Sequence, residues 1–210
     1  MHLHRLPAAL HRWLPGAVWQ GPPAAQPTVY LTFDDGPIPE ETPWVLEQLA
    51  RFDARGLFFC VGDNVERHPE VARQVLAAGQ QLGNHTHHHR SGWSTPRREY
   101  LRDVARCQQA LNAVQPPGAP RFFRPPYGRI TPGLLRALHP DYRVIMWDLL
   151  TCDYDRAYAR EDCLRDALRL TRPGAVVVFH DSLKASPNLR YVLPRYLEAL
   201  SEQGYRFGAL

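Results

Sequence analysis

Long apolar runs are missing from this 210-residue chain. The two longest, Leu57–Val61 and Ala175–Phe179, fall far short of the roughly 18 residues of a membrane helix, which excludes a helical span. Lysine is almost absent: Lys184 is the only one, so the net charge of +4 comes nearly all from arginine. That small excess is spread along the chain rather than gathered into a basic stripe, which argues against nucleic acid as a partner. Cysteine is scarce, with Cys60, Cys107, Cys152 and Cys163 far apart and no Cys-x-x-Cys pair. A zinc-thiolate or redox motif is therefore not expected; Cys60 and Cys163 read as core residues. No internal repeat and no low-complexity tract is visible. The 44% hydrophobic share is enough for a core and excludes a disordered chain.

The segment Met1-His2-Leu3-His4-Arg5-Leu6-Pro7 is a poor secretory signal, because Pro7, His11, Arg12 and Pro15 interrupt any apolar stretch. At face value this points to a protein made without export. Residues 1–27 are Pro-rich and read as an irregular lead-in that packs Trp13 and Trp19 on the body of the chain.

From Thr28 strand and helix patterns alternate. Strands are predicted over Val29–Phe33, Leu57–Val61, Gln81–Asn84, Phe122–Arg124, Arg143–Trp147, Ala175–Phe179 and Tyr205–Ala209. Between them, Thr42-Pro43 and Thr95-Pro96 read as helix starts, and Tyr100, Val104, Cys107, Leu111 and Val114 recur at helical spacing. Further helices fall over Pro69–Ala78 and near Thr131–Leu138, Glu161–Leu170 and Leu189–Leu200. A repeated β-α order implies parallel strands under helices, and both a barrel and an open doubly wound sheet satisfy it.

Reactive residue types gather just after the strands, where parallel α/β folds build their sites. Asp34-Asp35-Gly36 follows the first strand, and Asn84-His85-Thr86-His87-His88-His89 the third. Arg124-Pro125-Pro126-Tyr127-Gly128 follows the fourth, Trp147-Asp148 and Asp153 the fifth, and His180-Asp181 the sixth. Each alone has a plain structural explanation, Asp-Asp-Gly-Pro being ordinary turn chemistry. Five such coincidences at strand ends are harder to accept than one site. Two adjacent carboxylates diverge, so one can bind a metal and the other act as a base. Two histidines with one carboxylate make a common Zn²⁺ ligand set, with His85 paired to His89 or to His88. The Tyr127 N–H is left by the stiff prolines to face a developing oxyanion. His180, ending a buried strand, suits acid/base work with Asp153 orienting it.

Thr32-Phe33-Asp34-Asp35-Gly36-Pro37, His85-Thr86-x-x-His89, Arg124-Pro125-Pro126-Tyr127-Gly128 and Val178-Phe179-His180 follow one another in an order that resembles the polysaccharide deacetylases of the NodB-homology type (carbohydrate esterase family 4), over about residues 28–210. The resemblance implies an α/β fold, a single-domain distorted (β/α)7 barrel of parallel strands. It implies a metal-dependent hydrolase that removes N-acetyl groups from an N-acetylated sugar polymer or oligomer, of chitooligosaccharide or peptidoglycan type, releasing acetate. Carried over by motif, Asp34 is the general base; Asp35, His85 and His89 hold the metal, with Zn favoured and Co or Ni fitting the same donors. Arg124 pairs with the base, His180 is the general acid and Asp153 orients it. Tyr127 and Trp147 serve oxyanion and substrate binding. The family often acts outside the cytoplasm. Its fourth motif, Asp-x-x-Asp-Trp, reads Leu150-Thr151-Cys152-Asp153-Tyr154 here, and the departures at Leu150 and Tyr154 bear on the pocket for the acyl methyl. Two other functions share the scaffold: hydrolysis of another small-molecule C–N bond, and carbohydrate binding without catalysis. Asp34, Arg124 and His180 together count against the last, since a binding protein needs none of them.

Overall fold

The computed structural model describes residues 3–5 and 8–210; Met1, His2, Leu6 and Pro7 of the N-terminal segment lie outside the described residues. The first strand, β1 (Thr28–Asp34), is buried along its whole length. So are β2 (Gly56–Cys60) and nearly all of β7 (Val176–His180). Burial of nearly every position marks strands covered on both faces, as in parallel sheets, and in β2 and β7 it is written as a continuous apolar run. The remaining strands are β3 (Gln81–Asn84), β4 (Phe122–Phe123), β5 (Arg143–Val144), β6 (Leu149–Leu150) and β8 (Arg206–Phe207).

All strand pairs are parallel, in the order β5-β4-β3-β2-β1-β7-β6, with β8 beside the start of β1. The sheet curls into an incomplete barrel with helices outside, which decides between the two architectures the alternation allows. The helices are α1 (Thr42–Ala50), α2 (Gly62–Arg67), α3 (Pro69–Ala77), α4 (Arg97–Asn112), α5 (Pro132–Leu138), α6 (Arg160–Leu170) and α7 (Ser186–Glu202). Pro sits in the first turn of α1, α3, α5 and α7, where its missing N–H costs nothing. The Thr131 side chain caps α5 by accepting the Leu134 N–H.

Two strand predictions need correction. The segment Arg143–Trp147 is not one strand: pairing with β4 stops at Val144, and β6 pairs with β7 instead. The cause is lateral competition. The Arg124 guanidinium takes the carbonyls of Ile145 (3.3 Å) and Met146 (2.8 Å), and the Met146 N–H goes to the Val18 carbonyl at 2.7 Å. At the C-terminus only Arg206–Phe207 pairs, and only with the first two residues of β1.

The lead-in also takes part in the sheet. A short 3₁₀ helix (Ala8–Trp13) precedes Val18, which bridges in parallel to Ile145, and Gln20 bridges to Ala175. Trp19 is buried, whereas Trp13 is exposed. All four cysteines are buried free thiols. Among the described residues no helix is long and apolar enough to cross a membrane.

Candidate active site

The sheet register brings the two proposed proton-transfer residues together. Asp34, last residue of β1, is the paired partner of His180, last residue of β7. The same end of the sheet carries the loops after β3, β4 and β6. Asp34, Asp35, His85, His89, Tyr127, Trp147 and His180 line one cleft of about 600 Å³, within the range of ligand pockets. Arg124 and Asp153 stand behind this wall, fully buried.

The two aspartates diverge at the strand end, as expected of adjacent residues. Asp34 is buried and its Oδ1 accepts from Arg124 Nη1 at 2.8 Å. Asp35 adopts a φ of 84°, a left-handed conformation uncommon outside glycine but tolerated by Asp and Asn. That twist turns its carboxylate towards the histidines. Its Oδ1 lies 3.2 Å from His89 Nε2 and 3.9 Å from His85 Nε2, yet this buried oxygen accepts no well-formed hydrogen bond.

The histidine register is decided here. One ligand atom each from Asp35, His85 and His89 falls within 4.8 Å of the others, while His88 turns away to pair with Asp103. His85 Nδ1 lies 2.8 Å from the Arg124 carbonyl. A carbonyl only accepts, so Nδ1 carries the proton and Nε2 faces the cleft with a lone pair, the tautomer a metal ligand needs. Burial pushes the His85 pKa down to about 4, which keeps the ring neutral. Burial also acts to raise the Asp35 pKa, but His89, His180 and His85 outweigh it and hold the carboxyl below its ordinary range. A neutral imidazole, an ionised carboxylate and a buried unpaired oxygen fit a divalent cation of the Zn type.

Arg124 is the most enclosed charge in the site. Its guanidinium reaches Asp34 and Thr32 Oγ1 (2.7 Å) as well as the two carbonyls named above, and it stacks on Phe59 at 4.2 Å. Planar fork geometry and weak hydration suit arginine to such a position. Asp34 is thereby fixed in one orientation.

His180 is held at two points by Asp153. The carboxylate accepts from the ring Nδ1 at 2.7 Å and from the His180 backbone N–H at 2.9 Å. Burial acts to lower the His180 pKa, but Asp153 prevails and raises it to about 9. The ring is therefore a cation near neutral pH. Tyr154 packs edge-on against it, ring centres 5.0 Å apart.

In the turn after Arg124, the Gly128 and Arg129 N–H groups bond back to the Pro125 and Pro126 carbonyls, and the Tyr127 N–H lies outside those bonds. Tyr127 has a φ of 59°. Its hydroxyl is 3.1 Å from His89 Nδ1. Trp147 is buried with its indole N–H unpaired. Leu150 and Tyr154, the two departures in the fourth motif, both line the cleft.

Two carboxylates at the strand ends are not brought into the cleft. Asp148 forms ion pairs with Arg5 and Arg172. Asp181 accepts from the Gly36 N–H (3.1 Å) and the Thr42 hydroxyl (2.6 Å), bracing the turn after Asp35. Sequence reasoning also missed Asp103 of α4. It accepts the N–H groups of His87 and His88, each at 2.9 Å, and the His88 ring Nδ1 at 2.5 Å, so it clamps the loop that carries both proposed ligands. It lies on a helix face with no local motif, and only its contacts reveal it.

A family model described as polysaccharide deacetylase matches residues 21–140, more than half of the chain. The chain belongs to the polysaccharide deacetylase family. A peptidoglycan-N-acetylglucosamine deacetylase of Bacillus cereus is 30% identical to it over 187 residues, 87% of this chain and 66% of that protein. A chitooligosaccharide deacetylase of Sinorhizobium fredii is 33% identical over 157 residues, 74% of this chain and 72% of that protein. The crystal structure of a peptidoglycan N-acetylglucosamine deacetylase in complex with 4-naphthalen-1-yl-N-oxidanyl-benzamide superposes with a TM-score of 0.87 at 27% identity, covering 98% of this chain and 95% of that one. This polysaccharide deacetylase domain thus shares nearly its whole fold with that solved structure.

Proposed function

We propose that the chain is a metal-dependent hydrolase that removes N-acetyl groups from an N-acetylated sugar polymer or oligomer, of the chitooligosaccharide or peptidoglycan type, and releases acetate. One observation carries this reading. A base fixed by Arg124 and an acid fixed by Asp153 border the Asp35-His85-His89 set in a single cleft. The names of the similar proteins supply the substrate class.

Asp35, His85 and His89 would hold a divalent metal, with Zn²⁺ suited to this N/N/O donor set and Co²⁺ or Ni²⁺ accommodated by it. When bound, such an ion supplies Lewis acidity for the amide carbonyl and favours ionisation of water. Asp34, aimed by Arg124, takes a proton from the attacking water. The Tyr127 N–H donates to the oxygen that gains charge at the acetyl carbon, a contribution of about 3 kcal/mol for comparable donors. His180 gives its proton to the nitrogen as the C–N bond breaks, leaving a free sugar amine. Leu150, Tyr154 and Trp147 enclose the acyl methyl with apolar surface.

The direct test is acetate release from N-acetylglucosamine oligomers and from peptidoglycan, with and without added Zn²⁺. Metal-stimulated release from either supports the reading. Uptake of metal with no release from any glycan overturns it.

A further inference from the structure

Trp93 is a large apolar side chain that the fold ties down at the surface by its indole N–H. It is 67% exposed, yet its indole N–H donates to the Ile130 carbonyl at 3.3 Å and its ring lies 5.4 Å from the Arg129 guanidinium. The same guanidinium lies 5.4 Å from the ring of Tyr127, itself 60% exposed. Gly92 permits the arrangement: its N–H donates to the Arg129 carbonyl at 3.0 Å, and a Cβ there would stand 2.5 Å from that oxygen. Arg129 is thus set between two aromatic rings and has no carboxylate partner among the described residues. It also lines the catalytic cleft, and so does Lys184, whose ammonium lies 5.3 Å from the Tyr154 ring on another side of it. A second depression of about 560 Å³ shares His89, Tyr127 and Arg129 with the cleft, and Trp93 stands beside it across the Arg129 guanidinium.

A solvent-facing indole and phenol, locked by hydrogen bond and stacking, present flat apolar faces at little further entropic cost on binding. An unpaired guanidinium between them offers bidentate recognition of a carboxylate. We infer that Trp93, Arg129 and Tyr127 form a second sugar subsite that grips the residue next to the one being deacetylated, and that Arg129 makes it prefer a sugar bearing a carboxylate. This rests on the deacetylase reading for the identity of the neighbouring sugar, but not for the existence of the subsite. The preferred substrate is then an anionic N-acetylated glycan in place of a neutral one.

Calorimetric titration of the full chain tests it with two ligands. One is the neutral N-acetylglucosamine tetramer. The other is a peptide-free glycan strand of equal length in which alternate sugars carry a lactyl carboxylate. The wild type is expected to bind the carboxylate-bearing strand more tightly. Trp93→Ala weakens both ligands about tenfold, as loss of an aromatic anchor does, and Trp93→Phe recovers most of the loss, which a folding defect would not allow. Arg129→Gln weakens the anionic strand about tenfold, flattens its salt dependence and changes the neutral tetramer less than threefold. Wild-type affinities in both Trp93→Ala and Arg129→Gln overturn the subsite, and so does absence of binding to the wild type. Equal weakening of the two ligands by Arg129→Gln overturns the carboxylate preference. Acetate release measured on the same samples separates the two readings. A wild type that binds as described but releases no acetate sinks the deacetylase assignment alone. Release with unaltered variants sinks the subsite alone.

Discussion

Asp34 and His180 sit side by side because they are register partners at the ends of neighbouring parallel strands. Neither residue is brought there by a flexible loop. The β1–β7 pairing that builds the core also sets the proposed base beside the proposed acid, and their outer partners, Arg124 and Asp153, are held in the layer behind them.

The His180–Asp153 contact makes the high-pH behaviour testable. His180 has its pKa raised from 6.5 to about 9, with Asp153 outweighing burial. Its stabilising contribution is therefore complete below about 6.5 and is lost as pH rises through about 9. Acetate release should fall over the same upper range as the acid loses its proton. Asp153→Asn should lower the His180 midpoint, followed by NMR of the ring protons, and move the alkaline limb of the rate profile down with it. An unmoved midpoint contradicts the role given to Asp153.

Removing the proposed base should separate chemistry from metal binding. Asp34→Asn should reduce turnover about 10²–10⁴-fold, the usual worth of a positioned base, while metal content measured by atomic emission stays at one ion per chain. Turnover at the wild-type rate would remove Asp34 from the mechanism.

Arg124 is predicted to matter for folding as well as rate. Arg124→Ala strips a buried carboxylate of its cation and frees two carbonyls at the break between β5 and β6. A loss of about 3–5 kcal/mol is expected, from the cost of a buried unpaired charge. Urea denaturation reads it directly, and a loss below about 1 kcal/mol would show that the ion pair is dispensable to the fold.

The ligand loop gives a graded expectation. His85→Ala and His89→Ala should abolish tight Zn²⁺ uptake in competition with a chelator. Asp103→Asn keeps the size of the side chain but weakens the clamp on the His87 and His88 N–H groups. It should lower metal affinity about 10–100-fold, as changes behind metal ligands typically do. Full affinity in Asp103→Asn would mean that the loop holds its shape by other bonds, such as those of Asn84 and Thr86.

Gly128 tests the turn that presents Tyr127. Its φ is +65° and a Cβ would lie 2.3 Å from the Trp147 ring, so Gly128→Ala meets both backbone strain and a clash. The expected cost is about 1–3 kcal/mol in stability, with a shift in tryptophan fluorescence as Trp147 gives way. A silent substitution would show that Trp147 is free to move.

Much of the fold was legible in the amino-acid order, because buried parallel strands write themselves as unbroken runs such as Val176–Phe179, and helices as spaced apolar residues such as Tyr100, Val104 and Cys107. The break after Val144 was not legible. Nothing local in Arg143–Trp147 forbids a strand, and the carbonyls are claimed by an arginine some twenty residues earlier in the chain. For the same reason the ordered part played by Val18 and Gln20 could not be read from a Pro-rich segment.

By itself the sequence determined which chemical groups this protein can bring to bear, and in what order along the chain, since those are properties of short motifs such as Asp34-Asp35 and His85-x-x-x-His89. Only the tertiary structure decided which of them work together. It turned Asp35 and His89 towards one another through left-handed backbone at both residues. It sent Asp148 to Arg172 and Asp181 to Thr42, away from the cleft. It also set Arg129 in the wall of the cleft, with the exposed Trp93 ring beside it. Such choices depend on contacts between residues far apart in sequence, and no local pattern carries that information.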